Sequence, residues 1–195
     1  MSIRNTAENY GTIAKFLHWL TAALFLGAYM TYYYRHWFTE ERSAEGLTAL
    51  QIHASIGVSV FVIVILRLLW RFMNRTPDEA PGTKLAHLAA KLGHLALYAI
   101  MIIMPITGYM GFGGSTNYFF LFEIPRFADT QLFEVLVTNG LGMTFEDFEK
   151  PMDFIHKDIM GAWLVWILIL GHAGAALYHH YVLQDRTLKK MTSGK

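Results

Sequence analysis

The sequence predicts an all-α membrane protein, a bundle of four transmembrane helices, and three observations carry that prediction. Four separate stretches stay apolar for about 20 residues each, the length of helix that crosses a hydrocarbon layer roughly 30 Å thick. Only 16% of the 195 residues are charged while 54% are apolar, and the mean hydropathy is +0.31, whereas a soluble domain carries about a quarter charged residues. Lys and Arg fall in alternate connections, as they do when basic residues are held on the cytoplasmic side.

The first stretch covers 16–34 and runs into Tyr32, Tyr33 and Tyr34 rather than a small-residue cleavage site, so it reads as a retained span and not a signal peptide. The second covers 50–70 and the third 92–114, each too long for a buried strand. The fourth covers 159–183. Between the third and fourth lies a long outer connection over 115–155, in which Phe119, Phe120, Leu121, Phe122, Ile124, Phe127, Leu132, Phe133, Val135, Leu136 and Val137 suggest short amphipathic helices in the interface, ended by Asn139 and Gly140. No internal repeat interrupts this order, and residues 1–195 read as a single transmembrane domain.

Charge orients the bundle. The N-terminal tail (Arg4, Lys15), the second loop (Arg67, Arg71, Arg75, Lys84, Lys91) and the C-terminal tail (Arg186, Lys189, Lys190, Lys195) share one side, which the positive-inside rule makes cytoplasmic together with both termini. The first loop carries Glu40, Glu41 and Glu45, and the third carries Glu123, Asp129, Glu134, Glu146, Asp147, Glu149 and Asp153, so the outer face is acidic. A net charge of +1 gives no nucleic-acid footprint. With no Cys in the chain, disulfide frameworks, thiolate metal sites, Cys-ligated iron–sulfur clusters and cysteine nucleophiles are excluded, which leaves nine His as ligand candidates.

An ionisable residue inside a membrane is expensive and points to function. His18 stands near the inner start of the first helix, His53 near the outer start of the second, His94 near the inner start of the third, and His156 and His172 on or beside the fourth. His172 lies about 24 Å deeper than His156 at 1.5 Å per residue, so two depths emerge. His53 can face His156 at the outer depth, and His18 and His94 can approach His172 at the inner one. Neutral imidazole is a standard axial ligand of haem iron, and two depth-matched pairs suit two stacked haems. Gly57, Gly171 and Gly174 beside these histidines allow the close approach of a flat macrocycle, although small residues also serve plain helix packing. His36, His87, His179 and His180 lie at loop or interface positions; His179 is two turns below His172 on nearly the same face.

Several segments together resemble the bacterial cytochrome b561 family of small four-helix di-haem proteins over nearly the full chain. They are Ala14-Lys15-Phe16-Leu17-His18-Trp19-Leu20; Gln51-Ile52-His53-Ala54-Ser55-Ile56-Gly57 with Leu66-Arg67-Leu68-Leu69-Trp70-Arg71; Leu92-Gly93-His94-Leu95-Ala96-Leu97-Tyr98 with Met104-Pro105-Ile106-Thr107-Gly108; and Gly171-His172-Ala173-Gly174 running on to Tyr178-His179-His180-Tyr181 and Asp185-Arg186-Thr187-Leu188. The resemblance implies b-type haem, two per chain, with His18 and His172 as ligands of the inner one and His53 and His156 of the outer one. It also implies a multi-pass protein of the bacterial inner membrane that exchanges electrons with ubiquinone or a related quinone, with superoxide or a redox protein as the outer partner. His94, His179, Arg67 and Lys15 are then candidates for the quinone or propionate environment. A cytochrome subunit passing electrons between a partner protein and quinone is the alternative.

Two features depart from that pattern. The family spaces its fourth-helix ligands about fourteen residues apart, which returns to nearly the same helix face, while His156 and His172 are sixteen apart and would point about 160° apart on a straight α-helix. A π-bulge or an irregular first turn is needed to bring His156 inward; without one the outer haem is differently ligated or lost. The acidic outer loops, moreover, repel an anion such as superoxide, and Arg35, Arg42, Arg126, Lys150 and Lys157 are the basic residues available to offset them.

Overall fold

The computed structural model describes residues 2–40 and 42–192, so Glu41 and Lys195 of the charge pattern lie outside the described residues. Among the described residues, four helices are long and apolar enough to cross a membrane: Thr12–Phe38, Ala44–Met73, Lys84–Met110 and Phe145–Tyr181. The last three start before their apolar windows because polar caps, not hydropathy, set a helix start. Ser43 accepts from the amide of Gly46 at 3.0 Å, Thr83 from Ala86 at 3.2 Å and Thr144 from Asp147 at 3.3 Å. The third helix stops at Gly111 rather than reaching position 114. The fourth begins at Phe145, well before 159, and carries His156 within it.

The four helices bury little among themselves and leave large apolar residues such as Phe16, Leu26, Leu69, Leu95, Trp163 and Leu170 exposed, the surface a bilayer covers. Ile56, Val60 and Val64 of the second helix and Met101 of the third form the central core, packed by Leu24, Phe25 and Ala28 of the first. A second apolar cluster, Phe127, Phe133, Val137 and Phe148, lies under the outer connection against Tyr109 and Met110.

In that outer connection, the stretch 116–124 corrects the expectation of amphipathic helix. Thr116–Tyr118 and Phe122–Ile124 form an antiparallel hairpin in which Thr116 pairs with Ile124 and Tyr118 with Phe122. Phe119 and Phe120 at its tip have φ of 45° and 63°. The physical reason is a polar ladder on the second helix, spaced one turn apart. Gln51 accepts from the Asn117 amide at 2.6 Å and donates to the Ser115 carbonyl at 3.1 Å. Ser55, fully buried, accepts from the Phe119 amide at 2.9 Å. Ser59 and the Tyr118 hydroxyl share a bond of 3.0 Å. Non-helical backbone at membrane depth persists only where protein satisfies it, and this ladder does so. Helical turns follow at Phe127–Asp129 and over 131–139, and the chain leaves them at Gly142, whose φ of +67° suits glycine.

At the opposite end the two chain termini and the second loop knit together. Lys15 donates to the Thr192 carbonyl at 3.0 Å and Trp19 to that of Met191 at 3.1 Å. The Asp78 amide donates to Ala7 at 2.8 Å, and Lys190 donates to the Asp78 carbonyl at 2.6 Å. The basic segments of the sequence therefore share one end of the molecule.

Candidate functional site

His53 and His156 face each other at the outer end with ring centres 6.2 Å apart and planes at 89°. His53 donates from Nδ1 to the Ala28 carbonyl at 2.9 Å, and His156 donates from Nδ1 to the Met104 carbonyl at 2.9 Å. A carbonyl only accepts, so each neutral ring carries its proton on Nδ1 and keeps a free lone pair on Nε2. That is the second-shell arrangement of metal-ligating histidine. Two imidazoles bound to one metal ion, with bonds of about 2 Å, put their ring centres roughly 6 Å apart.

The winding of the fourth helix accounts for this meeting. Residues Phe154–Leu164 form eleven residues of π-helix between α-helical segments. A π-turn holds about 4.4 residues against 3.6 in an α-turn, so this run absorbs about two residues, and a separation of sixteen acts as about fourteen. The hydroxyl of Tyr29 donates to the Gly161 carbonyl inside that run at 2.8 Å, tying the first helix to it. Gly108 leaves the room His156 occupies, since a Cβ there would lie 2.7 Å from Cε1 of the imidazole.

Around the outer pair is a cavity of about 630 Å³, lined by His53, Gly57, Met104, Gly108, Arg35 and Lys157 among others. Lys157 is paired with Asp153 at 2.6 Å. A cavity of this size is of the order that holds a cofactor.

At the basic end His172 stands between two other rings. His18 is 6.1 Å away with planes at 53°, and His94 is 5.7 Å away at 69°. His172 and His94 are exposed. Arg67 donates from Nη2 to Nδ1 of His18 at 3.3 Å and from Nη1 to the Met101 sulfur at 3.6 Å. Arg67 and Arg71 lie over the Tyr98 ring at 5.6 and 5.7 Å. One turn along the second helix from Arg67, the buried indole N–H of Trp70 has no acceptor among the described residues.

His179 and Lys15 lie apart from these pairs. His179 donates from Nδ1 to Asp185 at 2.5 Å, and the Thr187 amide donates to the same carboxylate at 2.7 Å. Burial raises the Asp185 carboxyl, but the hydrogen bonds from His179 and Thr187 lower it by more and hold it below its ordinary value. Lys15 is engaged by the C-terminal tail through Thr192.

The outer pair fits a flat, iron-centred group as it stands, and the inner pair would fit a second once His18 is released from Arg67 at Nδ1. Among the described residues no cluster of three or more His, Asp or Glu is arranged to hold a bare metal ion, but haem needs only two protein ligands, on opposite faces. A Cβ at Gly57, Gly171 or Gly174 would meet nothing within 4 Å, which leaves open space beside both pairs. Sequence reasoning missed Tyr29, Gln51, Ser55 and the aromatic rings around the outer cavity. The signals for them were the place of Gln51 and Ser55 in the family-like segment around His53, the Gln51, Ser55, Ser59 spacing and the density of Tyr over 29–34.

The family described as prokaryotic cytochrome b561 matches residues 9–194. Cytochrome b561 homolog 2 of Escherichia coli (strain K12) is 31% identical, over 98% of this chain and 95% of its own. Cytochrome b561 homolog 1 of the same organism is 27% identical, over 90% and 92%. A protein of Yersinia pestis named Probable superoxide oxidase CybB is 28% identical, over 96% and 98%.

Proposed function

The chain belongs to the prokaryotic cytochrome b561 family of haem b membrane electron-transfer proteins, and from that premise we propose that it holds two b haems and moves electrons between a donor at its acidic end and a membrane quinone at its basic end. His53 and His156 would hold the outer haem, His18 and His172 the inner one. The observation that carries this reading is the opposed pair His53 and His156, with both Nδ1 protons given to backbone carbonyls and the rings 6.2 Å apart. By the positive-inside rule the basic end, with both termini, faces the cytoplasm of a bacterial inner membrane.

When bound, haem supplies one-electron chemistry at its iron. The chain's own residues do the rest. The Ala28 and Met104 carbonyls fix the tautomer and direction of the outer rings. His18 offers Nε2 to a metal once Arg67, which can only donate, turns from its Nδ1 to another acceptor. A haem propionate is such an acceptor, and the unpartnered Trp70 N–H is a further donor nearby. His94, His179 and Lys15 stand at the end where quinone would be reduced, and the His179 and Asp185 pair offers a route for its protons.

Superoxide is the outer donor we favour, because Arg35 and Lys157 line the cavity beside Glu149 and Asp153 and offset their charge within an otherwise acidic rim. Two superoxide ions give up one electron each and leave as dioxygen, and one quinone takes both electrons with two protons. The second reading, a redox protein docked on the acidic cap, draws on Glu123, Asp129, Glu134, Glu146 and Asp147.

The decisive experiment is a haem assay on purified protein. Two b haems per chain are expected, falling to one in His156→Ala. Absence of a Soret band, or an unchanged ratio in that variant, overturns the assignment.

A further inference from the structure

The change of winding in the fourth helix leaves one of its carbonyls without an amide. Over Phe154–Leu164 amides bond five residues back, and at the end of that run the Val165 amide donates to the Met160 carbonyl. α-Winding holds from Val165 onward, and there an amide bonds four residues back, so the Trp166 amide belongs to the carbonyl at position 162. The ladder therefore steps over the carbonyl of Gly161. Inside a bilayer such a carbonyl needs a partner from the protein, because no water reaches it.

That partner is Tyr29 of the first helix, whose hydroxyl donates to the Gly161 carbonyl at 2.8 Å. Its ring packs against Trp166, on the α-wound side of the seam, with centres 4.7 Å apart. Gly161 is itself suited to the seam, since a Cβ there would lie 2.9 Å from the carbonyl oxygen of His156, five residues back. The residue before Tyr29 serves the other ring, because the Ala28 carbonyl takes the Nδ1 proton of His53. Two adjacent residues of the first helix thus reach both members of the outer pair, His53 directly and His156 through the turn that follows it.

A buried tyrosine hydroxyl usually finds some acceptor, and any carbonyl would serve that need. Within regular α-winding, however, each carbonyl already has its amide. Tyr29 meets the one that the change of winding skips. That change is also what lets the sixteen residues between His156 and His172 act as about fourteen.

We propose that Tyr29 is a positioning residue of the outer site: by bonding the skipped Gly161 carbonyl it fixes the π-winding and so holds His156 opposite His53. The role rests on reading that pair as haem-bearing. Without the hydroxyl, the fourth helix recovers the missing bond by moving the seam, which rotates His156 relative to His53.

The test is Tyr29→Phe, which keeps the ring and its packing. Its readouts are the haem-to-protein ratio and the low-spin electron paramagnetic resonance signal of the outer haem, identified as the signal that His156→Ala removes. The ratio is expected to fall from two toward one, with the remaining outer signal shifted and the inner signal unchanged. Tyr34→Phe, which removes a hydroxyl from a ring stacked on Phe38, matches the unaltered protein. The same substitution is then made in a chain lacking Asp158 and Ile159, where α-winding sets His156 fourteen residues from His172 and skips no carbonyl. There Tyr29→Phe is expected to change neither ratio nor signal. Two haems and an unshifted outer signal for Tyr29→Phe in the full chain overturn the proposal. So does an equal effect in both chains, which makes Tyr29 a packing residue only, and so does loss of the outer haem on the deletion alone. A missing Soret band in the unaltered protein overturns the haem reading, and the positioning role with it.

Discussion

A methyl group at position 108 would lie 2.7 Å from Cε1 of His156, which makes this glycine the residue on which the outer pair depends most directly. Gly108→Ala forces the imidazole away from the third helix and breaks its bond to the Met104 carbonyl. The expected outcome is a haem-to-protein ratio falling from two toward one, with helix content unchanged by circular dichroism. At the other end Asp185 gives a pH-dependent prediction. Its carboxyl is held below the ordinary value, so the docking it supports is complete above that value and is lost as the pH falls through the lower, folded one. Asp185→Asn should remove this dependence, read as proteolytic release of the C-terminal tail across the acidic range. The histidines themselves were legible in the sequence, because imidazole within a span has few other uses. The partners of their Nδ1 atoms were not, since backbone carbonyls of another helix leave no mark in composition.

At the scale of elements, the four apolar stretches were legible from hydropathy, but the winding of the fourth was not. The sixteen-residue spacing showed only that a straight α-helix would fail. The structure meets that with π-winding over Phe154–Leu164. If that run serves only to absorb about two residues, deleting two between 157 and 161 should restore α-winding and keep the outer haem, while deleting one should rotate His156 away and lose it. Haem content of the two deletion variants checks this. The hairpin at 116–124 escaped sequence reading because its Phe-rich strands look like any interfacial apolar run. What makes it a hairpin is the row of Gln51, Ser55 and Ser59 on a different element, and their one-turn spacing becomes informative only once something is packed against it.

Across the whole molecule, charge is divided between the ends while the net value stays at +1. The basic segments meet where the termini and the second loop knit together, and Glu149 and Asp153 of the acidic outer connection line the outer cavity. This division predicts opposite salt responses for the two donor readings. An anionic donor that must cross the acidic rim should reduce the haem faster as ionic strength rises and the Debye length shortens to about 10 Å at 0.1 M. A cationic partner protein should react more slowly under the same change. Stopped-flow haem reduction over a salt series separates them.

Both histidine pairs draw one member from the fourth helix, His156 for the outer pair and His172 for the inner. Ribosomes deliver that helix last. Three inserted spans therefore present unmatched imidazoles, and both histidine pairs come into being together when the final span enters the bilayer. If the pairs hold haem as proposed, loading is the closing event of biogenesis, and a chain truncated before the fourth span should reach the membrane colourless.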